Sequence, residues 1–334
     1  MSRTDVVPDT SRPPGRSRRT AWIASVAGAV VLLAGTFTYF NTNVLTPDRI
    51  CHGWVTPVEA ADAMGGGPGR VTARDGSDTT CVIHKANWLP GSADKHLELS
   101  TETEDTTFPF YSGVWEISAV RHVMTGGIPG AFDNYGGWAL LPESCTEVVF
   151  GYAPQHPQPV LRAYGFGSEG EAAGIGPLLA SAARAIISGP KGCAAAGVGE
   201  EPTRFLSTSG PRTTDFDKVC GIPGFRLAKM TGPKGQRVLE RTSGSLKDGL
   251  YCDLSFEGDK EGPFDRLAVV NDAALVDILK SRKFDRVNCG GRPTVLAYDW
   301  GYADEAELAR TGRPDAAGLA KAFSGAAREA LHCE

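Results

Sequence analysis

The stretch LTPDRICH, residues 45–52, brings the first cysteine of the chain ten residues after an apolar run that ends at Phe40. A cysteine that carries a lipid follows its apolar segment directly and has small residues before it, whereas Cys51 follows Asp48-Arg49-Ile50. Cys51 is therefore read as the first member of a disulfide framework. The chain has eight cysteines, at positions 51, 81, 145, 193, 220, 252, 289 and 333, and all of them follow the apolar run. An even number outside a membrane implies disulfides, because exported chains meet an oxidising environment. No C-x-x-C is present, which removes the thioredoxin-like and zinc-ribbon spacings.

Set in two groups of four, the cysteines are spaced by 30, 64 and 48 residues and then by 32, 37 and 44. Their surroundings also match. AMGGGPGRV (63–71) parallels KMTGPKGQRV (229–238), CVIH parallels CDLSF, and HLEL (96–99) parallels RLAVV (266–270). TEVVFGY (146–152) and TVLAYDW (294–300) are strand-like runs after each third cysteine, and a helix precedes each fourth. In the first helix Leu178, Leu179, Ala182, Ala183, Ile186 and Ile187 share a face, with Pro177 near its start. In the second the face is Leu319, Ala322, Phe323, Ala326, Ala330 and Leu331, with Pro314-Asp315 at its start. The implied fold class is α+β: two tandem repeats of a small disulfide-stapled antiparallel sheet, each with a short helix after its first cysteine and a packed closing helix.

Spacing alone leaves the disulfide connectivity open. The expectation adopted joins neighbours, Cys51–Cys81, Cys145–Cys193, Cys220–Cys252 and Cys289–Cys333. The first repeat is longer by 27 residues (64 − 37) between its second and third cysteines. Residues 194–219, small, polar and poor in apolar residues, are expected to link the repeats, 51–193 and 220–334.

AWIASVAGAVVLLAGTFTYF, residues 21–40, contains no charge and is long enough to cross a bilayer. It is too long for a typical signal-peptide apolar region and lacks an A-x-A-like end. One transmembrane helix is expected, with Trp22 and Tyr39-Phe40 at its interfaces. Residues 1–20 hold five arginines and read as a disordered cytoplasmic tail. Residues 41–50 then form a stalk, and the C-terminal domains are extracytoplasmic. Residues 1–40 carry a net +3 and the remainder −8, against −5 for the whole chain, so the main body lacks the basic character of a nucleic-acid binder.

Motifs that carry chemistry are weak. His52 and His332 adjoin cysteines, but no H-E-x-x-H accompanies them. EGDKEG (257–262) has Ala268 where a calcium loop needs a bidentate glutamate, and reads as a hairpin turn. GGGPG (65–69) lacks the Gly-Lys-Ser/Thr of a phosphate loop and reads as a helix stop. Glu102, Glu104 and Asp105 hold the carboxylates that a glycosidase pair needs, but belong to a polar segment. No metal and no cofactor is expected. Phe132, Tyr135 and Trp138, set among glycines in the lengthened part of the first repeat, form a possible recognition loop.

With its arginine-rich tail, single anchor, LLPESC before a strand and AAREALHC closing a helix, the chain resembles the exported, membrane-anchored proteins of unknown function common in actinobacteria. It is more remotely similar to extracellular sensor-like domains of actinobacterial kinases and to related lipoproteins. That resemblance implies a membrane-anchored extracytoplasmic protein binding a protein or envelope partner, and carries over no catalytic residue. The alternative is an extracytoplasmic enzyme acting on the envelope, with a site assembled only in three dimensions.

Overall fold

Alternation along the central strands explains the architecture. In the strand QPVLRAYGF, Val160 faces one apolar cluster while Leu161 and Ala163 face another, and DRLAVV is buried at all six positions. A strand buried on both faces needs a cover on each side. The computed structural model of the protein describes residues 18–86, 95–104, 118–150, 158–166, 172–189, 193, 201–258, 262–279, 284–300 and 310–334.

Two antiparallel sheets form the body. The first contains β1 (Arg70–Ser77), β2 (Thr80–Ala86), β3 (Lys95–Glu104), β4 (His122–Gly126), β5 (Gly130–Phe132), β6 (Gly136–Leu140), β7 (Gln158–Phe166) and β8 (Thr203–Phe205), in the order β1-β2-β3-β7-β6-β5-β4-β8. The second contains β9 (Arg212–Thr213), β10 (Val238–Ser245), β11 (Gly249–Phe256), β12 (Asp265–Val270), β13 (Asp285–Cys289) and β14 (Arg292–Trp300), in the order β13-β14-β12-β11-β10-β9. Among the described residues the α-helices are α1 (Arg18–Asn41), α2 (Pro57–Ala63), α3 (Cys145–Phe150), α4 (Ala172–Ser188), α5 (Ala273–Ile278) and α6 (Ala316–Leu331).

Three apolar clusters stack the layers. Leu178, Leu179, Ala182 and Ala183 of α4 close the first core against Leu97, Leu99, Leu161 and Ala163. Leu319, Phe323 and Ala327 of α6 close the second against Leu254, Leu267 and Leu296. Between them lies a third cluster, with Val123, Ala131, Trp138, Leu140 and Val160 from the first sheet. The second sheet contributes Tyr251, Ala268, Val270, Val295 and Ala297 to it, and α5 adds Leu275 and Val276. The order is thus helix, sheet, sheet, helix. The two sheets meet face to face.

Local signals account for the helices. Thr56 and Glu59 form a capping box at α2, with Pro57 in its first turn. Ser181, on α4, also donates to Glu59; burial pushes this carboxyl up, but the hydrogen bonds from Ser181 and Thr56 and the charge of Arg49 outweigh it and hold the group below its ordinary value. Gly174 lets α4 approach α2 closely, since a Cβ there would lie 2.5 Å from the backbone of Asp62. Asp315 caps α6, and Arg313 forms a buried ion pair with Asp265 that fixes the start of this helix on β12.

Disulfides join Cys51–Cys81, Cys145–Cys193, Cys220–Cys252 and Cys289–Cys333, the neighbour pairing expected above. Closed loops of this length stabilise by about 4 kcal/mol each on the chain-entropy account.

Several expectations are corrected. TEVVFGY contains a helix, α3, rather than a strand: the turn bonds from Cys145 N–H to Pro142 and from Thr146 N–H to Glu143 start it and override the β-branched composition. The short helix expected after Cys220 is replaced by a 3-10 turn and irregular backbone, because Pro223-Gly224 and Pro233 interrupt it. α4 begins at Ala172, so Pro177 lies inside it. The sheets, of eight and six strands, are larger than the small ones expected because the lengthened segment supplies β4–β6 and the expected linker, residues 194–219, supplies β8 and β9. The expected stalk, residues 41–50, is not a free tether: Asn41 C=O accepts from Gly69 N–H, Asn43 Oδ1 accepts from Val71 N–H, and the Arg70 guanidinium lies 4.3 Å from the centre of the Tyr39 ring. Residues 1–17 of the expected tail lie outside the described residues.

Asp272 ties the halves together. Its Oδ1 accepts from Ala274 and Leu275 N–H to cap α5, and its Oδ2 accepts from Gly126 N–H of β4 at 2.9 Å. Burial pushes its carboxyl above the ordinary value of 3.8, against the opposing pull of these bonds. Asp272→Ala removes a helix cap worth about 1 kcal/mol and strands the Gly126 N–H at a cost of about 1–3 kcal/mol. Denaturant unfolding is expected to register the sum, about 2–4 kcal/mol. Because folding favours the protonated form of Asp272, its contribution is complete below the ordinary aspartate value and declines as pH rises through the raised one. The stability of the native protein relative to Asp272→Asn should accordingly fall as pH is raised from acid to neutral. A constant or rising difference would contradict this account.

Candidate functional site

The inter-sheet cluster draws nothing from β1, β2 or β3. One face of these strands is therefore left beside the seam, and its positions read Thr72 and Arg74 on β1, Val82 and His84 on β2, and His96, Glu98, Ser100 and Glu102 on β3. Thr72, Arg74 and His84 are exposed, and His96, Glu98 and Glu102 are half-buried. His84 and His96 are directly paired across the strands, with ring centres 5.9 Å apart. Toward the seam, β7 adds Tyr164 opposite Glu98 and Arg162 opposite Ser100.

Arg162 is the electrostatic floor of this face. Its guanidinium holds Glu102 at 2.5 Å and also pairs with Glu104. Burial lowers the Arg162 guanidinium from its ordinary value, with Glu102 and Tyr164 opposing, and burial raises the Tyr164 hydroxyl. Glu102 and Glu104 are thus ion-paired carboxylates sharing one cation, which does not suit them to a glycosidase pair that must divide a proton between free groups. Asp105 lies outside the described residues. What this face offers is an array of mixed charge with the paired rings of His84 and His96 among it.

The aromatic trio is divided by the fold. Trp138 is fully buried in the inter-sheet cluster. Phe132 is buried in the first core, stacked on His122 and edge-on to Phe205. Tyr135 alone is exposed, at 62%, on a β5–β6 turn whose Asp133 accepts from the Tyr135 and Gly136 N–H groups. The three residues therefore do not form one surface.

Other sequence candidates take structural roles. GGGPG follows α2 with left-handed Gly65, Gly66 and Gly67, and it is bound through its carbonyl side: Lys95 Nζ donates to Met64 C=O and Lys85 Nζ to Gly66 C=O. EGDKEG lies in the β11–β12 hairpin, where Glu257 pairs with Arg237; residues 259–261 are outside the described set. His52 Nε2 lies 3.2 Å from Thr80 C=O, and His332 ends α6 in a left-handed conformation. Among the described residues no group of three His, Cys, Asp or Glu side chains is placed to hold a metal. The polar face of β1–β3 was not visible in sequence; the period-2 run HLELSTETE was its one signal.

Comparison with protein-family models, with curated proteins and with solved structures finds no match for this chain.

The division of the trio has a direct test. Trp138→Ala should cost about 3–5 kcal/mol in equilibrium unfolding, as a large core truncation does, while Tyr135→Ala should stay within about 0.5 kcal/mol, as an exposed substitution does. Equal effects at the two positions would refute the assignment.

Proposed function

We propose that the chain is a membrane-anchored extracytoplasmic binding protein that presents the polar face of β1–β3 to a protein partner. The observation that carries this reading is the unequal reach of the two sheets: the second covers β4–β7 and leaves Thr72, Arg74 and His84 exposed on β1 and β2. An exposed sheet face of mixed charge suits a protein surface, whose contacts carry a polar rim.

Export and anchoring are supported by two features. Trp22–Asn41 is long and apolar enough to span a bilayer, and four disulfides fit an oxidising compartment. Retention of the helix is supported by its junction with the fold, where Asn41 and Asn43 bond to the start of β1. The arginine-rich flank favours a cytoplasmic N-terminus. In this reading the helix braces the same strand that borders the binding face.

The duplication is part of the proposal. Both halves run hairpin, third strand, then an antiparallel pair in the order β1-β2-β3-β7-β6 and β10-β11-β12-β14-β13. Each first cysteine, Cys51 and Cys220, takes a left-handed φ, of 55° and 57°, a conformation uncommon outside glycine. The lengthened segment of the first half and the loss of the α2 counterpart in the second are then later divergence.

A photo-crosslinking residue at Arg74 or His84, in intact cells, should trap a protein, while the same residue at Lys321 on the outer face of α6 should not. Capture of glycan alone, or equal capture from Lys321, would overturn the reading. A membrane-impermeant thiol label should fail to reach Ser11→Cys from outside; labelling there would reverse the topology.

A further inference from the structure

The four disulfides differ in access. Cys51, Cys81, Cys145, Cys193, Cys220 and Cys252 are each at most 5% exposed. Cys289 and Cys333 are only partly buried, at the margin of the second core. Cys289 also forms part of the wall of a cavity of about 410 Å³, where Lys247 and Arg292 are the charged residues and Leu246, Asn271 and Leu331 contribute further wall.

Thiol–disulfide exchange depends on which sulfur an attacking thiolate can reach. A cavity lined, among the described residues, by two cations and no carboxylate raises the local concentration of an anion. We propose that Cys289–Cys333 is a thiol-exchange site, and that the cavity beside Cys289 admits a low-molecular-weight thiol carrying a carboxylate.

In the exchange, the incoming thiolate attacks Cys289 Sγ and a mixed disulfide forms there as the Cys289–Cys333 bond breaks. The electron pair of that bond leaves on Cys333, whose thiolate takes a proton from water. The incoming sulfur is oxidised to the disulfide level, Cys333 is reduced, and no further oxidant is required. The bond that opens ties the C-terminal end of α6 to β13. The helix keeps two other ties, Arg313–Asp265 at its start and Arg328–Asp285 near its end. Exchange therefore leaves residues 332–334 held to β13 by backbone bonding alone, the Glu334 N–H to Asn288 C=O bond among it, without dismantling the second core.

The test uses the full-length folded protein, treated with 3-mercaptopropionate or with cysteamine at matched thiolate concentrations, then alkylated and mapped by mass spectrometry. The expected result is an adduct on Cys289 and alkylation of Cys333 before any label on the other six cysteines, with mercaptopropionate the faster reagent. Lys247→Gln combined with Arg292→Gln should lower the ratio of the two rates several-fold, and Arg292→Lys should preserve it. Simultaneous reaction of all eight cysteines, earlier reaction of another pair, an adduct on Cys333, or a rate ratio unaffected by the double substitution would each overturn the proposal.

Discussion

The contact between the inner faces of the two sheets is the constraint on which the rest of the fold depends. A sheet covered by one helix can leave its other face to water, but β6 and β12 are buried on both sides. Each sheet supplies the cover that the other lacks, through Trp138, Val160, Tyr251, Val270 and Val295. Because side chains alternate along a strand, this commits every residue: Leu161 faces α4 because Val160 faces the second sheet. Burial of this apolar area, at about 25 cal/mol per Å², favours one body over two separate domains.

Polar groups fix the register of that contact. Asp272 caps α5 and reaches across to Gly126, and the Asp253 carboxylate on β11 accepts from Ala119 N–H at 3.1 Å. Apolar surfaces slide at little cost, whereas hydrogen bonds to buried backbone groups fix position. Beyond the reach of the second sheet the inner face of the first becomes polar, with Arg162 at the border. The edge strand of that face, β1, also receives the end of α1, so one strand connects the apolar helix and the proposed binding face.

What the sequence disclosed, and what it concealed, follows from the range of the forces involved. Periodicity placed the buried faces of α4 and α6, cysteine spacing marked two sets of four while leaving their pairing open, and the uncharged run marked α1, because each depends on residues close in sequence. The run TEVVFGY was misleading because the turn at Pro142–Cys145 outweighs β-branched propensity. Residues 203–213 look like a linker because edge strands are short and half-exposed, and only their partners β4 and β10 make them strands. The inter-sheet cluster had a trace in LAVV, residues 267–270, a continuous apolar run more typical of a strand covered on both faces than on one. HLELSTETE marked a polar face on β3, but the extent of the candidate face is the limit of that cluster, which no local pattern encodes.

The most direct test of a shared inter-sheet core is hydrogen exchange by mass spectrometry on the native protein and on Val160→Ala. Val160 belongs to the first sheet, yet its side chain lies in the common cluster. Faster exchange is predicted in β12 and β14 of the second sheet as well as in β6 and β7. Acceleration confined to the first sheet would contradict a shared core and return the halves to independent domains.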